Sequence, residues 1–127
     1  MAVFGAPREL PYKERAAVET ARETVREVPR LEVPGEPLSV GVGIATGKAF
    51  VGNIHSTDRV IWGALGNTTN LAARLQAMSR ELVASVVIDA ATRERAREAA
   101  ADFVDQGELP VRGRTEGQRA FALPLAA

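Results

Sequence analysis

The chain has 127 residues, with sixteen basic residues balanced by sixteen acidic ones and no cysteine. That length supports one modest core spanning 1–127 and needs no second domain; the charge balance leaves no global field for nucleic acid or an anionic membrane, so any anion site must be local. The absent cysteines exclude disulfides, thiolate metal sites and cysteine nucleophiles, and with no apolar run near the roughly 20 residues of a membrane span and no signal-peptide pattern in Met1–Pro7, the expected setting is cytoplasmic, without membrane contact by this segment.

Ala2, Val3 and Phe4 read as the end of a strand that runs into the Gly5-Ala6-Pro7 turn with no earlier element to pair with, as in a domain truncated at its N-terminus. From Tyr12 to Val28, the apolar positions Ala17, Val18, Ala21, Val25 and Val28 follow a helical period, and charges fill the other face. Pro29, Pro34, Gly35 and Pro37 end that helix. Ser39 to Ala45 and Lys48 to Ile54 are two runs rich in β-branched residues, and Thr46-Gly47 between them predicts a hairpin. Val60 to Trp62 extends that sheet before a turn at Gly66, where a second helix begins. Val83 to Ile88 reads as a buried strand, and Asp89 as the N-cap of a charged helix reaching about Ala101. Phe103 to Leu109 and Gln118 to Leu123 form a closing hairpin with Gly113 in its turn. The expected fold is α+β, with helices on one face of a mainly antiparallel, ferredoxin-like sheet.

Three apparent motifs have plainer explanations. Gly41-Val42-Gly43-Ile44-Ala45-Thr46-Gly47 imitates a dinucleotide loop, but such a loop must open a helix, and the strand-like Ala49-Phe50-Val51 follows instead. Asn67-Thr68-Thr69 matches a glycosylation sequon without a secretory signal. His55 is the only histidine, and neither it nor Asp58 has partners at metal-ligand spacing, so a solvated loop is expected there.

The segment Gly66-Asn67-Thr68-Thr69-Asn70-Leu71-Ala72-Ala73-Arg74-Leu75 combines a turn, a helix start and a polar pair. Asn70 and Arg74 are four apart and share one helix face, while Leu71, Leu75 and Met78 form an apolar stripe about a quarter turn away. An amide beside a guanidinium suits phosphate or ribose. On spacing alone the commoner meaning is a solvated face, with Asn70 bracing a turn and Arg74 in an ordinary surface ion pair.

The surrounding segments weigh on that choice. Gly43-Ile44-Ala45-Thr46-Gly47, Val51-Gly52-Asn53-Ile54, Asp58-Arg59, the Gly66–Leu75 stretch and Val111-Arg112-Gly113-Arg114 follow one another in an order and spacing that resembles the C-terminal part of the class III adenylyl and guanylyl cyclase catalytic domain. Met1–Pro7 is similar to the strand that follows the Gly-Asp hairpin of those enzymes, so the resemblance covers essentially the whole chain. It implies conversion of ATP or GTP to the 3′,5′-cyclic monophosphate and pyrophosphate, at a site shared by two subunits arranged head to tail, either a homodimer or a pair with a second cyclase subunit. By resemblance, Asn70 orients the ribose and Arg74 stabilises the α-phosphoryl group in the transition state, a task suited to a permanently charged fork of donors. Arg114 stands where the family usually has a triphosphate-binding lysine, and Gly63 at a base-reading position.

The departures set the expected limits. The two metal-binding aspartates of the family have no counterpart in this sequence, so Mg or Mn is expected in the intact parent domain and none is expected on this chain alone. Gly63 has no side chain with which to choose between ATP and GTP, and Asn67 replaces a common aspartate at the helix start. Two readings follow: the C-terminal portion of a nucleotide cyclase, inactive in isolation, or a non-catalytic pseudo-cyclase module for regulation or dimerisation. A generic ferredoxin-like binding domain without a nucleotide is the third.

Overall fold

A computed structural model describes residues 1–55, 58–111 and 113–125. Helix α1 (Lys13–Glu27) is followed by β1 (Val42–Ile44), β2 (Phe50–His55), β3 (Val60–Leu65), α2 (Asn67–Met78), β4 (Ala84–Asp89), α3 (Ala90–Ala96), β5 (Val104–Leu109) and β6 (Gln118–Pro124). Short 3-10 turns extend α1 over Val28–Arg30, with Pro29 in the turn, and follow α3 over Arg97–Ala100. Among the described residues no helix is long and apolar enough to cross a membrane.

The main sheet has the order β1-β4-β6-β5. Its centre is β4, whose Ala84–Asp89 residues are all buried, Ser85 and Asp89 included. Val86 and Ile88 join Val18 and Ala21 of α1, Ala96 of α3, Ala100 and Phe103 in one core cluster. Val87 joins Leu71 and Leu75 of α2, together with Ala84, Val111, Ala120 and Ala122, in a second. The mixed α+β class therefore holds, and the helices divide between the two faces of the sheet, where one face was expected. The reason is β4 itself: successive residues of a strand point to opposite sides, and Val87 packs into one cluster while Val86 and Ile88 pack into the other.

Two strand expectations are corrected. No hairpin forms at Thr46-Gly47: β1 runs parallel to β4, pairing Val42 with Val86, Gly43 with Val87 and Ile44 with Ile88. β2 instead pairs with β3 as a separate antiparallel ribbon from Phe50↔Leu65 to His55↔Val60, so His55 ends a strand. Burial decides the matter, because beside β4 the side chains of Val42 and Ile44 pack against the α1–α3 cluster, where a Thr46-Gly47 hairpin would leave that part of the cluster open. Ala2, Val3 and Phe4 form no strand; with Met1, Gly5 and Ala6 they line a cleft of about 1050 Å³ that also takes in α1, β1 and α2.

Two further expectations match. Asp89 caps α3, accepting from the Thr92 backbone N–H at 3.0 Å. β5 and β6 pair antiparallel, and Gly113 between them has φ +87°.

Candidate functional site

Helix α2 is held by its apolar stripe and by unusually close backbone contact with β1. Leu75 is fully buried and Leu71 nearly so, while Met78 packs partly buried against the same cluster. A Cβ added at Gly43 would overlap the Ala72 carbonyl oxygen and the Gln76 amide nitrogen, so the helix backbone rests directly on the strand. The glycine pair that imitates a dinucleotide loop thus has a packing role: Gly41 faces Ser79 and Gly43 faces the middle of the same helix. The helix starts at Gly66, whose φ of +133° lies in the left-handed region that favours glycine.

This anchoring leaves Asn70 and Arg74 exposed on the face away from the core. Among the described residues, neither the Asn70 side-chain amide nor the Arg74 guanidinium makes a hydrogen bond or ion pair with the rest of the chain. Among the described residues, Arg74 therefore lacks the partner that a surface ion pair requires, and Asn70 braces no turn with its side chain. The structure brings a third expected residue to the same helix: Arg114, half-buried, donates from Nη2 to the Asn67 carbonyl oxygen at 3.0 Å. The helix N-terminus thus lies beside an arginine, an arrangement compatible with an anion. Arg112 lies outside the described residues.

Gly63 sits in the middle of β3, directly opposite Gly52 of β2, and an added Cβ would be 3.2 Å from Ile54 Cδ1. It therefore belongs to the ribbon. Among the described residues no group of three or more His, Asp or Glu side chains is arranged to hold a metal ion.

One connection has no signal in local sequence. The Thr68 hydroxyl in the first turn of α2 donates to the Lys48 carbonyl oxygen at 2.6 Å, and Gly47 lies so close that an added Cβ would be 2.6 Å from that hydroxyl. The 46–48 loop is therefore seated on the helix start. Only the parallel placement of β1, which sequence reasoning missed, puts it there.

The family model described as "Adenylate and Guanylate cyclase catalytic domain" matches residues 1–123. An uncharacterized protein of Mycobacterium tuberculosis (strain ATCC 25618 / H37Rv) is 32% identical over 107 residues, covering 76% of this chain and 18% of that protein. The chain thus spans less than a fifth of the length of that curated relative. The crystal structure of the guanylate cyclase domain of RhGC from Catenaria anguillulae, in complex with GTP, superposes with a TM-score of 0.75 at 21% identity, over 97% of this chain and 66% of that one. The adenylyl cyclase CyaB from P. aeruginosa gives a TM-score of 0.70 at 23% identity, over 98% and 66%. These two likenesses establish the shared fold. Taken with the family match over nearly its whole length, they show that the chain belongs to the adenylate and guanylate cyclase catalytic domain family.

Proposed function

We propose that the chain contributes the ribose- and phosphate-facing half of a nucleotide cyclase site, acting in the cytoplasm on ATP or GTP. Asn70 orients the ribose and Arg74 meets the charge that develops as the ribose 3′-hydroxyl attacks the α-phosphorus and pyrophosphate departs. Arg114 attracts the triphosphate near the start of α2. The single observation that carries this reading is that Asn70 and Arg74 stand unpartnered on an otherwise firmly packed helix. Side chains that no other described residue engages by hydrogen bond or ion pair are available to an external ligand.

The described residues do not form a metal centre, so no step is assigned to a metal on this chain. The Mg or Mn that such chemistry uses would be held by carboxylates of a second cyclase subunit in head-to-tail arrangement or elsewhere in the parent domain. The chain by itself is expected to be inactive, because the family's two metal-binding aspartates have no counterpart in its sequence. Gly63 leaves the choice between ATP and GTP to other residues.

The test mixes the purified chain with a cyclase domain that retains its metal aspartates but has lost its own helix arginine. Manganese-dependent cyclic nucleotide from the mixture, absent from either component alone, is the expected result. No product at any ratio, with both components folded, would overturn the reading.

A second reading, a non-catalytic dimerisation module, has one observation in its favour. Phe50, Val60, Ile61, Trp62 and Leu65 on the β2–β3 ribbon are each about half exposed, from 48% to 59%, which leaves a large apolar surface in water. A monomer whose sedimentation coefficient does not change with concentration would count against it.

A further inference from the structure

The buried polar groups at the C-terminal ends of the parallel strands β1 and β4 do more than cap a helix. Asp89 is 6% exposed and Thr92 fully buried. Asp89 Oδ1 accepts from the Thr92 N–H at 3.0 Å and from the Thr92 hydroxyl at 2.5 Å, while Oδ2 faces the Thr46 N–H at 3.4 Å. The Thr46 and Thr92 hydroxyl oxygens are 2.8 Å apart. A hydroxyl carries one hydrogen, and that of Thr92 is directed to the carboxylate, so the Thr46 hydroxyl is the donor of the second bond. The result is a one-way chain from Thr46 through Thr92 to Asp89, anchored on a buried charge.

Thr46 opens the short loop whose Gly47 and Lys48 bear on Thr68, and Thr68 lies in the first turn of α2, ahead of Asn70. We propose that Asp89 and Thr92 are positioning residues for the proposed nucleotide site: through Thr46 they fix the 46–48 loop, and through that loop the orientation of the α2 start that carries Asn70. The inference rests on the reading of Asn70 and Arg74 as site residues, but the physical coupling exists with or without a nucleotide. The middle of α2 has its own anchor at Gly43, so loss of the chain loosens the first turn while the rest of the helix stays packed.

Amide hydrogen exchange on the whole chain, followed by NMR without nucleotide, tests this independently of cyclase chemistry. Thr46→Val removes the donor and leaves the Asp89–Thr92 cap intact. The Asn70 amide, which donates to the Gly66 carbonyl at 3.0 Å, is expected to exchange about tenfold faster, while the β5–β6 ladder is unchanged. Thr92→Val should do the same and Thr92→Ser, which restores the hydroxyl, should reverse it. Unaltered exchange at Asn70 in Thr46→Val, or acceleration confined to α3 in Thr92→Val, would overturn the proposal. Either result leaves the mixed-subunit assay to decide the site by itself.

Discussion

Arg114 reaches from the turn between β5 and β6 to the main-chain carbonyl of Asn67, 3.0 Å from its Nη2. Two expected site segments, 47 residues apart in the chain, are thereby joined by one hydrogen bond. Arg114→Ala should lower stability by about 0.5–1.5 kcal/mol, the usual range for such a bond at a partly exposed position. The check is the urea midpoint at unchanged slope. An unmoved midpoint would mean that the bond contributes nothing in solution.

Gly41 and Gly43 provide an internal contrast. At Gly43 an added methyl would overlap backbone of α2, which cannot step aside without moving the helix; at Gly41 it would meet the Ser79 side chain, which can rotate. Gly43→Ala is therefore expected to cost at least about 2 kcal/mol and Gly41→Ala clearly less. Denaturation of the two variants side by side measures the difference, and equal losses would contradict the close packing of α2 on β1.

Glu14 links α1 to α3: its Oε2 lies 2.7 Å from Lys13 Nζ and 3.7 Å from Arg95 Nη1. Burial pushes its pKa up, but the Lys13 ammonium, a backbone N–H donor and, least, the Arg95 charge together hold it below the ordinary 4.5. Because the folded value is the lower one, ionised Glu14 stabilises the protein above about pH 4.5, and that contribution is lost as the pH falls through the folded pKa. The stability of Glu14→Gln should thus fall less steeply with acidification below pH 4.5. Equilibrium unfolding between pH 3 and pH 7, about the window over which carboxylates titrate, compares the two curves; parallel acid limbs would remove Glu14 from this role.

Arg74→Ala in the mixed-subunit assay should lower kcat by about 100-fold or more, with KM changed only a few-fold, since the guanidinium is expected to act on charge that develops in the transition state. Asn70→Ala should also lower kcat. Steady-state kinetics with manganese and either nucleotide gives both constants. A rise in KM with kcat intact would make Arg74 a ground-state contact.

Much of this arrangement was legible in the residues. The stripe of Leu71, Leu75 and Met78 and the polar pair of Asn70 and Arg74 follow from a period of 3.6, and the structure buries the first and exposes the second. The Asp89 cap and the closing hairpin follow from similarly short-range chemistry. The Thr46-Gly47 dipeptide misled because it satisfies local turn preferences while Val42 and Ile44 find deeper burial beside β4.

Sequence alone therefore determined where helices begin and which faces they bury. Tertiary structure alone decided that β1 lies parallel to β4, that α2 and the other helices occupy opposite faces, and that Arg114 and the 46–48 loop meet the start of α2. The division has a physical cause. Helical periodicity and capping are written in neighbouring side chains, whereas strand partners are joined by backbone groups common to every residue, so only competition for burial across the whole chain selects among them.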